Sequence, residues 1–255
     1  MQTVKEKWKK EIISFFKAMV VPVILIFFWE IAGNNGWIKT TAISVPSRIW
    51  SEAINMIQSG NLQANILISL QRVLIGFFFG VVIGVILGVL LGVFPKVNSY
   101  LRLIMDLLRP IPIIVWVPVL ILWIGIGENT KVIVIAIGTF WPVFLNVLDG
   151  VMNVDKKYLE VSTIFIKSRR ETIFQLILPA AVPYVISGIR IASGNALMGV
   201  IGAEMFAASS GLGYMVTFYR EMNQSSAMMV GVIIIAILGA IVNSIIQKVS
   251  KKEYR

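Results

Sequence analysis

Apolar residues follow one another along this chain in long runs, which short polar segments and prolines separate. Between Arg72 and Lys96 lie 23 residues without a charge. At about 1.5 Å per residue, a helix of that length crosses the roughly 30 Å hydrocarbon layer of a bilayer. The pattern predicts an all-α membrane protein with six transmembrane helices. The predicted spans cover about 16–34, 66–94, 98–125, 131–150, 180–206 and 226–247.

The second predicted span carries glycine at every fourth position, in GFFFGVVIGVILGVLLG (residues 76–92). Four residues turn a helix by about 400°, so the glycines form a slowly winding stripe without side chains. Glycine destabilises a helix in water by about 1 kcal/mol relative to alanine, but in lipid such stripes let a second helix approach closely. We therefore favour close helix packing, and direct lining of a transport path is the alternative.

Prolines interrupt several of the runs. Pro110, Pro112 and Pro118 are expected to break the third span, and Pro179 and Pro183 precede the fifth. Such breaks are tolerated in a membrane where neighbouring groups or water satisfy the freed carbonyls, so they either shape a helix or line a path. After the fifth span, residues 209–222 are expected to form a short amphipathic helix at the membrane surface.

The composition agrees with a membrane location: 57% of the residues are hydrophobic, 14% are charged, and the mean hydropathy is +0.85. Of the 23 lysines and arginines, four lie on one side of the predicted spans and two within them. The other 17 fall on the opposite side, in residues 1–17, 95–109, 155–175 and the tail from Lys248. Positive residues mark the cytoplasmic side, so both termini are expected in the cytoplasm. The net charge of +10 then reflects topology, and no nucleic-acid partner is expected.

The sequence contains no histidine, no cysteine and no G-x-x-x-x-G-K-[ST] phosphate loop. These absences argue against a histidine or thiolate metal site, thiol chemistry and ATP binding through a P-loop. Ionisable residues embedded in the membrane are expected to be few: Glu30, Arg72, Arg190 and Glu204, with Asp149 near a span end. A carrier driven by protons or sodium usually has paired carboxylates deeper in the bilayer. A self-sufficient carrier or channel, and after it a membrane enzyme, stay as alternatives to a transport subunit that another protein drives.

The most informative polar segment reads DKKYLEVSTIFIKSRRETIFQLILPAAVP (residues 155–183). Polar residues between Lys156 and Lys167 recur at helical spacing and form one stripe. Ser168 and Glu171 match a capping box, which predicts a turn and the start of a second helix. On physical grounds this helix-turn-helix either rests on anionic lipid or forms a docking surface for a cytoplasmic protein.

This segment resembles the EAA motif of ABC importer permeases, which reads E-A-A, three residues, G, nine residues, I-x-L-P. Glu160, Val161 and Ser162 stand at the E-A-A positions, and LILP (residues 176–179) matches the end. Four further segments resemble the nitrate, sulfonate and taurine group of these permeases: VPSRIW (45–50), SLQRVLIGFFFG (69–80), RPIPIIVWVPVLILWIGIGENTK (109–131) and GAEMFAASSGLGYM (202–215). The sequence departs from the motif at Ile166, where a β-branched residue resists the positive φ that glycine adopts.

The resemblance implies a type I ABC importer permease, a single membrane domain over residues 1–255 with cytoplasmic coupling helices between spans four and five. The coupling loop would cover about residues 152–178. The protein would import a small solute, such as a sulfonate, nitrate or bicarbonate, by alternating access across the bacterial cytoplasmic membrane. Its partners would be a second permease copy, two ATP-binding subunits holding ATP and Mg²⁺, an extracytoplasmic substrate-binding protein and the lipid bilayer. The chain itself would hold no cofactor.

Two groups of residues are the candidates for function, and none of them is catalytic or metal-ligating. The coupling set, expected to contact the ATP-binding subunit, consists of Lys156, Glu160, Val161, Ser162, Ile166, Lys167 and Pro179. The translocation-path set consists of Arg109, Pro112, Trp116, Asn195, Met198 and Glu204. For Glu204 two roles stay open, because a carboxylate near the end of a span either gates the path or caps neighbouring backbone.

Overall fold

The structure is a computed structural model that describes residues 2–40, 43–155, 157–158, 160 and 168–253. These residues are predominantly helical, and no strand occurs among them, so the all-α prediction is confirmed. The helices divide into two compact units, residues 1–62 with 216–233 and residues 63–215 with 234–255. That residues 1–255 act as one membrane domain stays a prediction.

In the first unit, α1 (Gln2–Asn34) and α2 (Pro46–Gln58) meet at a corner that Glu30 holds. The Glu30 carboxylate accepts hydrogen bonds from the Ser47 backbone N–H at 3.0 Å and from the Ser47 hydroxyl at 2.7 Å. The side-chain amide of Asn34 donates a third bond at 2.9 Å. Because the first N–H groups of a helix have no partner within it, Glu30 caps α2 and fixes its direction relative to α1.

In the second unit, the glycine stripe of α3 (Asn61–Val93) faces α6 (Glu128–Met152). A Cβ atom on Gly80 would lie 2.6 Å from the Ala136 carbonyl oxygen, and one on Gly88 would lie 2.8 Å from Val147 Cβ. Side chains do not approach other atoms this closely, so only glycine permits the observed separation. The predicted close packing of the stripe is confirmed.

A second face of α6 packs on α8 (Leu178–Ala207). Their common core includes Val143 and Val147 from α6 and Ala181 and Ala192 from α8, all of them buried. Small and β-branched side chains dominate this contact, which is the composition that lets helices in a membrane approach closely. α6 is therefore enclosed between α3 and α8.

The third predicted span is broken, as the prolines indicated. α4 (Pro95–Leu108) and α5 (Trp116–Ile124) are joined through a 3-10 turn at Ile113–Val115, and the pair is bent by 85°. Pro112 directly precedes this turn. Because a proline has no N–H to continue the hydrogen-bond ladder, α4 ends here and the chain leaves in a new direction. Pro118, by contrast, lies in the first turn of α5, where a missing N–H is tolerated, and does not interrupt the helix.

The predicted capping box is also present. The Ser168 N–H donates to Glu171 Oε2 and the Glu171 N–H donates to Ser168 Oγ, both at 3.2 Å. From there α7 (Arg169–Thr172) passes through a π-helical turn, Ile173–Ile177, directly into α8. Pro179 lies in the first turn of α8, so the helix begins before the prolines instead of behind them. The π-turn stands where Pro179 interrupts the regular bonding pattern.

The chain continues with α9 (Leu212–Glu221) and α10 (Ser225–Glu253). α9 is the short helix predicted within residues 209–222, and it begins after Gly211, whose φ of +110° favours glycine.

Four described helices are long and apolar enough to cross a membrane: Asn61–Val93, Glu128–Met152, Arg170–Ala207 and Ser225–Ile245. The bent pair of α4 and the helix Ile113–Ile124 makes a fifth if it counts as one broken span. Residues Met19–Asn34 of α1 form a shorter apolar helix. The structure thus supports a polytopic membrane protein, and the count of six spans stays a prediction.

Candidate functional site

A cavity of about 520 Å³ lies in the second unit beside α6, α8 and the segment that joins α4 to α5. Its polar lining consists of Arg109, Asn146, Asp149 and Asn195, and Trp141 contributes an aromatic face. Ligand cavities of this size typically combine an apolar wall with a few polar groups that fix orientation. One cation, one carboxylate and two amides are such groups, and together they suit a small polar solute.

Pro142 shapes the wall that α6 gives to this cavity. A proline cannot donate to the carbonyl four residues earlier, which here belongs to Gly138. The Asn195 side chain supplies a donor instead, since its Nδ2 lies 3.4 Å from the Gly138 oxygen. Asn146 Nδ2 donates to the Pro142 carbonyl at 2.8 Å. Both cavity amides are thereby held by the backbone that the proline disturbs.

The two charged residues of the cavity, Arg109 and Asp149, are exposed and form no ion pair with any other described residue. Arg109 is the residue at which α4 ends, so the proline break places it at the cavity. A guanidinium presents five N–H donors in a planar fork that matches oxyanions. Arg109 is therefore available to a solute, and Asp149 adds a negative charge to the cavity lining.

Three of the six path candidates, Arg109, Asn195 and Met198, line this cavity. Pro112 is not among the lining residues, but it directs the 3-10 turn whose first residue, Ile113, reaches the cavity. The structure therefore brings half of the path set to one place. Their role in transport stays a prediction.

Trp116 lies elsewhere, packed on a buried cluster that includes Val117, Leu120 and Val134. Its indole N–H is buried and finds no acceptor among the residues that the structure describes. Buried polar groups normally have a partner, so this donor is the unexplained feature of α5.

Glu204 is 0% exposed and also lies away from the cavity. Its carboxylate accepts hydrogen bonds from the Ser69 hydroxyl at 2.8 and 2.9 Å, the Gly213 N–H at 2.9 Å and Arg72 Nη1 at 2.8 Å. Gly213 belongs to the first turn of α9, so Glu204 caps that helix. Of the two roles that the sequence left open, the contacts match backbone capping.

Arg72 extends this cluster to α6 and to the segment before α9. Its Nε and Nη2 donate to Glu128, both at 2.7 Å, and its Nη1 donates to the Ser210 carbonyl at 2.7 Å. Lys131 adds a further bond to Glu128 at 2.6 Å. Two cations and two carboxylates thus share one network, in which Arg72, Lys131 and Glu204 are buried and Glu128 is exposed. The buried charges are paired and hydrogen-bonded, the condition under which buried charge is tolerated. In the described ranges no group of three or more potential metal ligands occurs.

The sequence contained a signal for this network. Arg72 and Glu204 are isolated opposite charges in otherwise apolar spans, and charges at that depth usually pair with one another. Two side chains of α3 complete the network: Ser69 Oγ accepts a hydrogen bond from the Leu212 N–H at 2.8 Å, and Asn65 Oδ1 accepts one from the Gly211 N–H at 2.7 Å. Hydroxyl and amide side chains are too common in helices to mark such a role.

Most of the coupling set lies outside the described residues: Lys156, Val161, Ser162, Ile166 and Lys167. Glu160 is described and exposed. Pro179 stands one residue after the start of α8, behind the capping box and the π-turn. The segment that follows the expected coupling residues is thus a capped helix that continues into a long membrane helix.

Several long apolar helices together with a cavity that carries a few polar groups are typical of a polytopic membrane transporter. More specifically, the chain belongs to the binding-protein-dependent transport system inner membrane component family, whose model matches residues 80–255. It is therefore a permease subunit of an ABC importer, as the EAA-like segment indicated.

Two relatives cover nearly the whole chain. The "Putative aliphatic sulfonates transport permease protein SsuC" of Bacillus subtilis (strain 168) is 32% identical over 251 residues, 98% of this chain and 91% of the relative. The protein of the same name from Escherichia coli (strain K12) is 34% identical over 239 residues, 94% of this chain and 89% of the relative. The nitrate, sulfonate and taurine group to which the sequence was likened is confirmed.

The fold also matches a solved transporter. An inward-facing conformation of the MetNI methionine ABC transporter superposes with a TM-score of 0.67 at 19% identity, over 78% of this chain and 97% of that chain. At this identity the match bears on the fold alone. The family membership, and not this structural match, favours the permease over the self-sufficient carrier that the sequence kept as an alternative.

Proposed function

We propose that this permease imports a small organic or inorganic anion, such as a sulfonate, nitrate or bicarbonate, and that the anion passes Arg109. The observation that carries the proposal is the exposed guanidinium of Arg109 in a cavity that also holds the Asn146 and Asn195 amides. Guanidinium groups bind planar and tetrahedral oxyanions through paired hydrogen bonds. Asp149 repels an anion, so the bound solute would lie on the Arg109 side.

The names of the two relatives support a sulfonate within this class. A sulfonate carries three oxygens that accept hydrogen bonds and an alkyl group that remains apolar. The cavity offers donors for the oxygens, and Trp141 and Met198 give it apolar surface for the alkyl group.

In the proposed assembly, two copies of the chain form the pathway, and two ATP-binding subunits supply the energy from ATP and Mg²⁺. An extracytoplasmic substrate-binding protein delivers the solute, consistent with the binding-protein dependence that the family description names. The coupling set around Glu160 would contact the ATP-binding subunit. Support comes from the absence of a P-loop in this chain and from the capped helix that leads from Ser168 towards Pro179.

The topology that we propose has six spans in the bacterial cytoplasmic membrane, with both termini in the cytoplasm. Support comes from the 17-to-4 distribution of lysine and arginine. In that orientation Arg109 and Asp149 lie towards the cytoplasmic half, because both stand close to segments that are rich in positive charge.

The test is ATP-driven uptake into proteoliposomes that contain the permease, its ATP-binding subunit and its binding protein. Labelled ethanesulfonate, nitrate and bicarbonate are the solutes. We expect Arg109→Gln to lower uptake at least tenfold, since a charged hydrogen bond contributes about 1.5–3 kcal/mol, and Arg109→Lys to retain part of it.

Arg102→Gln is the matched control. Arg102 lies in α4, the helix that Arg109 ends, and its substitution removes the same positive charge. Arg102 pairs with Asp106 at 3.7 Å and does not line the cavity. Equal uptake by Arg109→Gln and Arg102→Gln would place the path elsewhere. Uptake of none of the three solutes by the wild-type complex would overturn the proposed cargo class.

A further inference from the structure

The short helix α2 exposes three large apolar side chains along one of its sides. Trp50, Ile54 and Ile57 are 71%, 39% and 50% exposed. At about 100° per residue, these three side chains lie within about 60° of one another around the helix. They therefore form one continuous edge, which we call the apolar edge of α2.

The other two sides of α2 differ from this edge. Ile49 and Met56 are buried and lie about 100–120° to one side of Trp50. The exposed polar residues Ser51, Asn55 and Gln58 lie about 80–140° to the other side. Around its circumference α2 thus presents a protein-facing side, an apolar edge and a polar edge. A helix in the plane of a membrane surface needs this arrangement, because it meets protein, lipid and water at once.

The attachment of α2 to α1 fixes where this edge lies. Glu30 binds Ser47 through two hydrogen bonds, so α2 begins directly at the end of the apolar part of α1. Just before that corner, α1 exposes Phe27, Phe28 and Ile31. In a membrane span such side chains face lipid, so α2 begins beside a lipid-facing part of α1.

We propose that α2 lies along the membrane surface at which α1 ends, with its apolar edge in the boundary between lipid headgroups and acyl chains. Tryptophan is enriched at this depth, and a helix of 13 residues is too short to span a bilayer. A soluble docking protein would approach from the aqueous side and meet Ser51, Asn55 and Gln58 first. The partner of the apolar edge is therefore lipid, and in the proposed orientation it is the extracytoplasmic leaflet.

Spin-label accessibility tests this placement, and the absence of cysteine from the chain makes labelling selective. Single cysteines replace Trp50, Ile54 and Ile57 on the apolar edge and Ser51, Asn55 and Gln58 on the polar edge. The permease is assembled with its partner subunits, made without reactive cysteines, in lipid nanodiscs. Collision with oxygen, which concentrates in lipid, is compared with collision with water-soluble Ni(II)-EDDA.

We expect the oxygen-to-nickel collision ratio to be several-fold higher at each apolar-edge position than at each polar-edge position. Equal ratios on both edges would overturn the proposal, because α2 would then stand in water. Low collision with both reagents at the apolar edge would overturn it as well, since protein would cover that edge. The first measurement is made without the substrate-binding protein, and it is repeated after that protein is added. If collisions at the apolar edge fall only after the addition, the edge binds that protein and not lipid, which would also contradict the proposal.

Discussion

At the scale of single residues, buried charge is concentrated around Glu204. Its carboxylate joins Ser69 and Arg72 of α3 to Gly213 of α9 through hydrogen bonds of 2.8–2.9 Å. Gly211 stands so close that a Cβ atom on it would collide with the Glu204 carboxylate. One side chain therefore holds the turn between α8 and α9 in place, and Arg72 balances its charge.

We expect Glu204→Gln to lower the free energy of unfolding by on the order of 3 kcal/mol, because it leaves a buried guanidinium with one carboxylate in place of two. The measurement is thermal unfolding of the purified complex. Glu128→Gln is the matched control, since Glu128 binds the same Arg72 but its side chain is 63% exposed, and its loss should matter less. Equal unfolding temperatures for the two variants would contradict the central role of Glu204.

The sequence showed which residues carry isolated charge, but not how they are arranged. Arg72 and Glu204 were recognisable as charges in apolar spans. Their bond joins residues 132 positions apart, and periodicity within one helix carries no information about such a distant partner. The same holds for Asn195, whose amide replaces the donor that Pro142 lacks at the Gly138 carbonyl.

At the scale of helices, the contact of α3 with α6 depends on the absence of side chains. The glycines of α3 meet Ile135, Thr139, Val143, Val147 and Val151, which recur along one face of α6. β-Branched residues are stiff at χ1, so these five side chains of α6 cannot easily change rotamer to make room for a larger residue on α3. The fit therefore depends on glycine itself and not only on small size.

We expect Gly88→Leu to reduce the recovery of folded complex in detergent several-fold, because its Cβ alone would lie 2.8 Å from Val147. Gly239→Leu is the matched control: it makes the same change within the apolar helix α10, where a Cβ would meet no atom within 4 Å. Normal recovery and uptake of Gly88→Leu would show that α3 and α6 separate without harm.

Strong periodic signals in the sequence predicted elements well, and short mixed ones did not. The glycine spacing predicted close packing, the prolines predicted the broken third span, and Ser168 with Glu171 predicted a helix start. α2 was not predicted, because long charge-free runs define spans, whereas residues 46–58 include Arg48 and Glu52. The continuous helix through Pro179 was also not expected, since the π-turn before it cannot be read from residue types.

At the scale of the whole molecule, the proposed coupling to an ATP-binding subunit requires motion to reach the membrane helices. α7, the π-turn and α8 form an unbroken helical path from Ser168 to Ala207. A movement applied at the Ser168 end of this path would therefore reach the wall of the Arg109 cavity, to which α8 contributes Asn195 and Met198. The family was recognisable from the EAA-like segment together with its four flanking segments.

We expect Glu160→Lys to leave the permease in the membrane at normal abundance but to abolish ATP-driven uptake and to lower co-purification of the ATP-binding subunit. A reversed charge in a docking site costs about 2–5 kcal/mol or more, whereas a surface pair with Lys156 contributes only about 0.2–0.5 kcal/mol. Immunoblotting, uptake and co-purification are measured on the same membranes. Rescue by Lys156→Glu, or undiminished uptake in Glu160→Lys, would contradict the docking role and favour the alternative that this segment rests on lipid.

The glycine stripe of α3 also affects the order in which the helices assemble during synthesis. α3 leaves the ribosome before α6, and residues 94–127 separate the two helices. The contacts between the glycine stripe of α3 and α6 cannot form until residues 135–151 have been synthesised and have entered the bilayer. Insertion of α3 and its pairing with α6 are therefore separate events, and during the interval a bare helical backbone faces lipid. If synthesis stops before α6, the glycine stripe of α3 therefore stays exposed to lipid, which distinguishes the incomplete chain from the folded one.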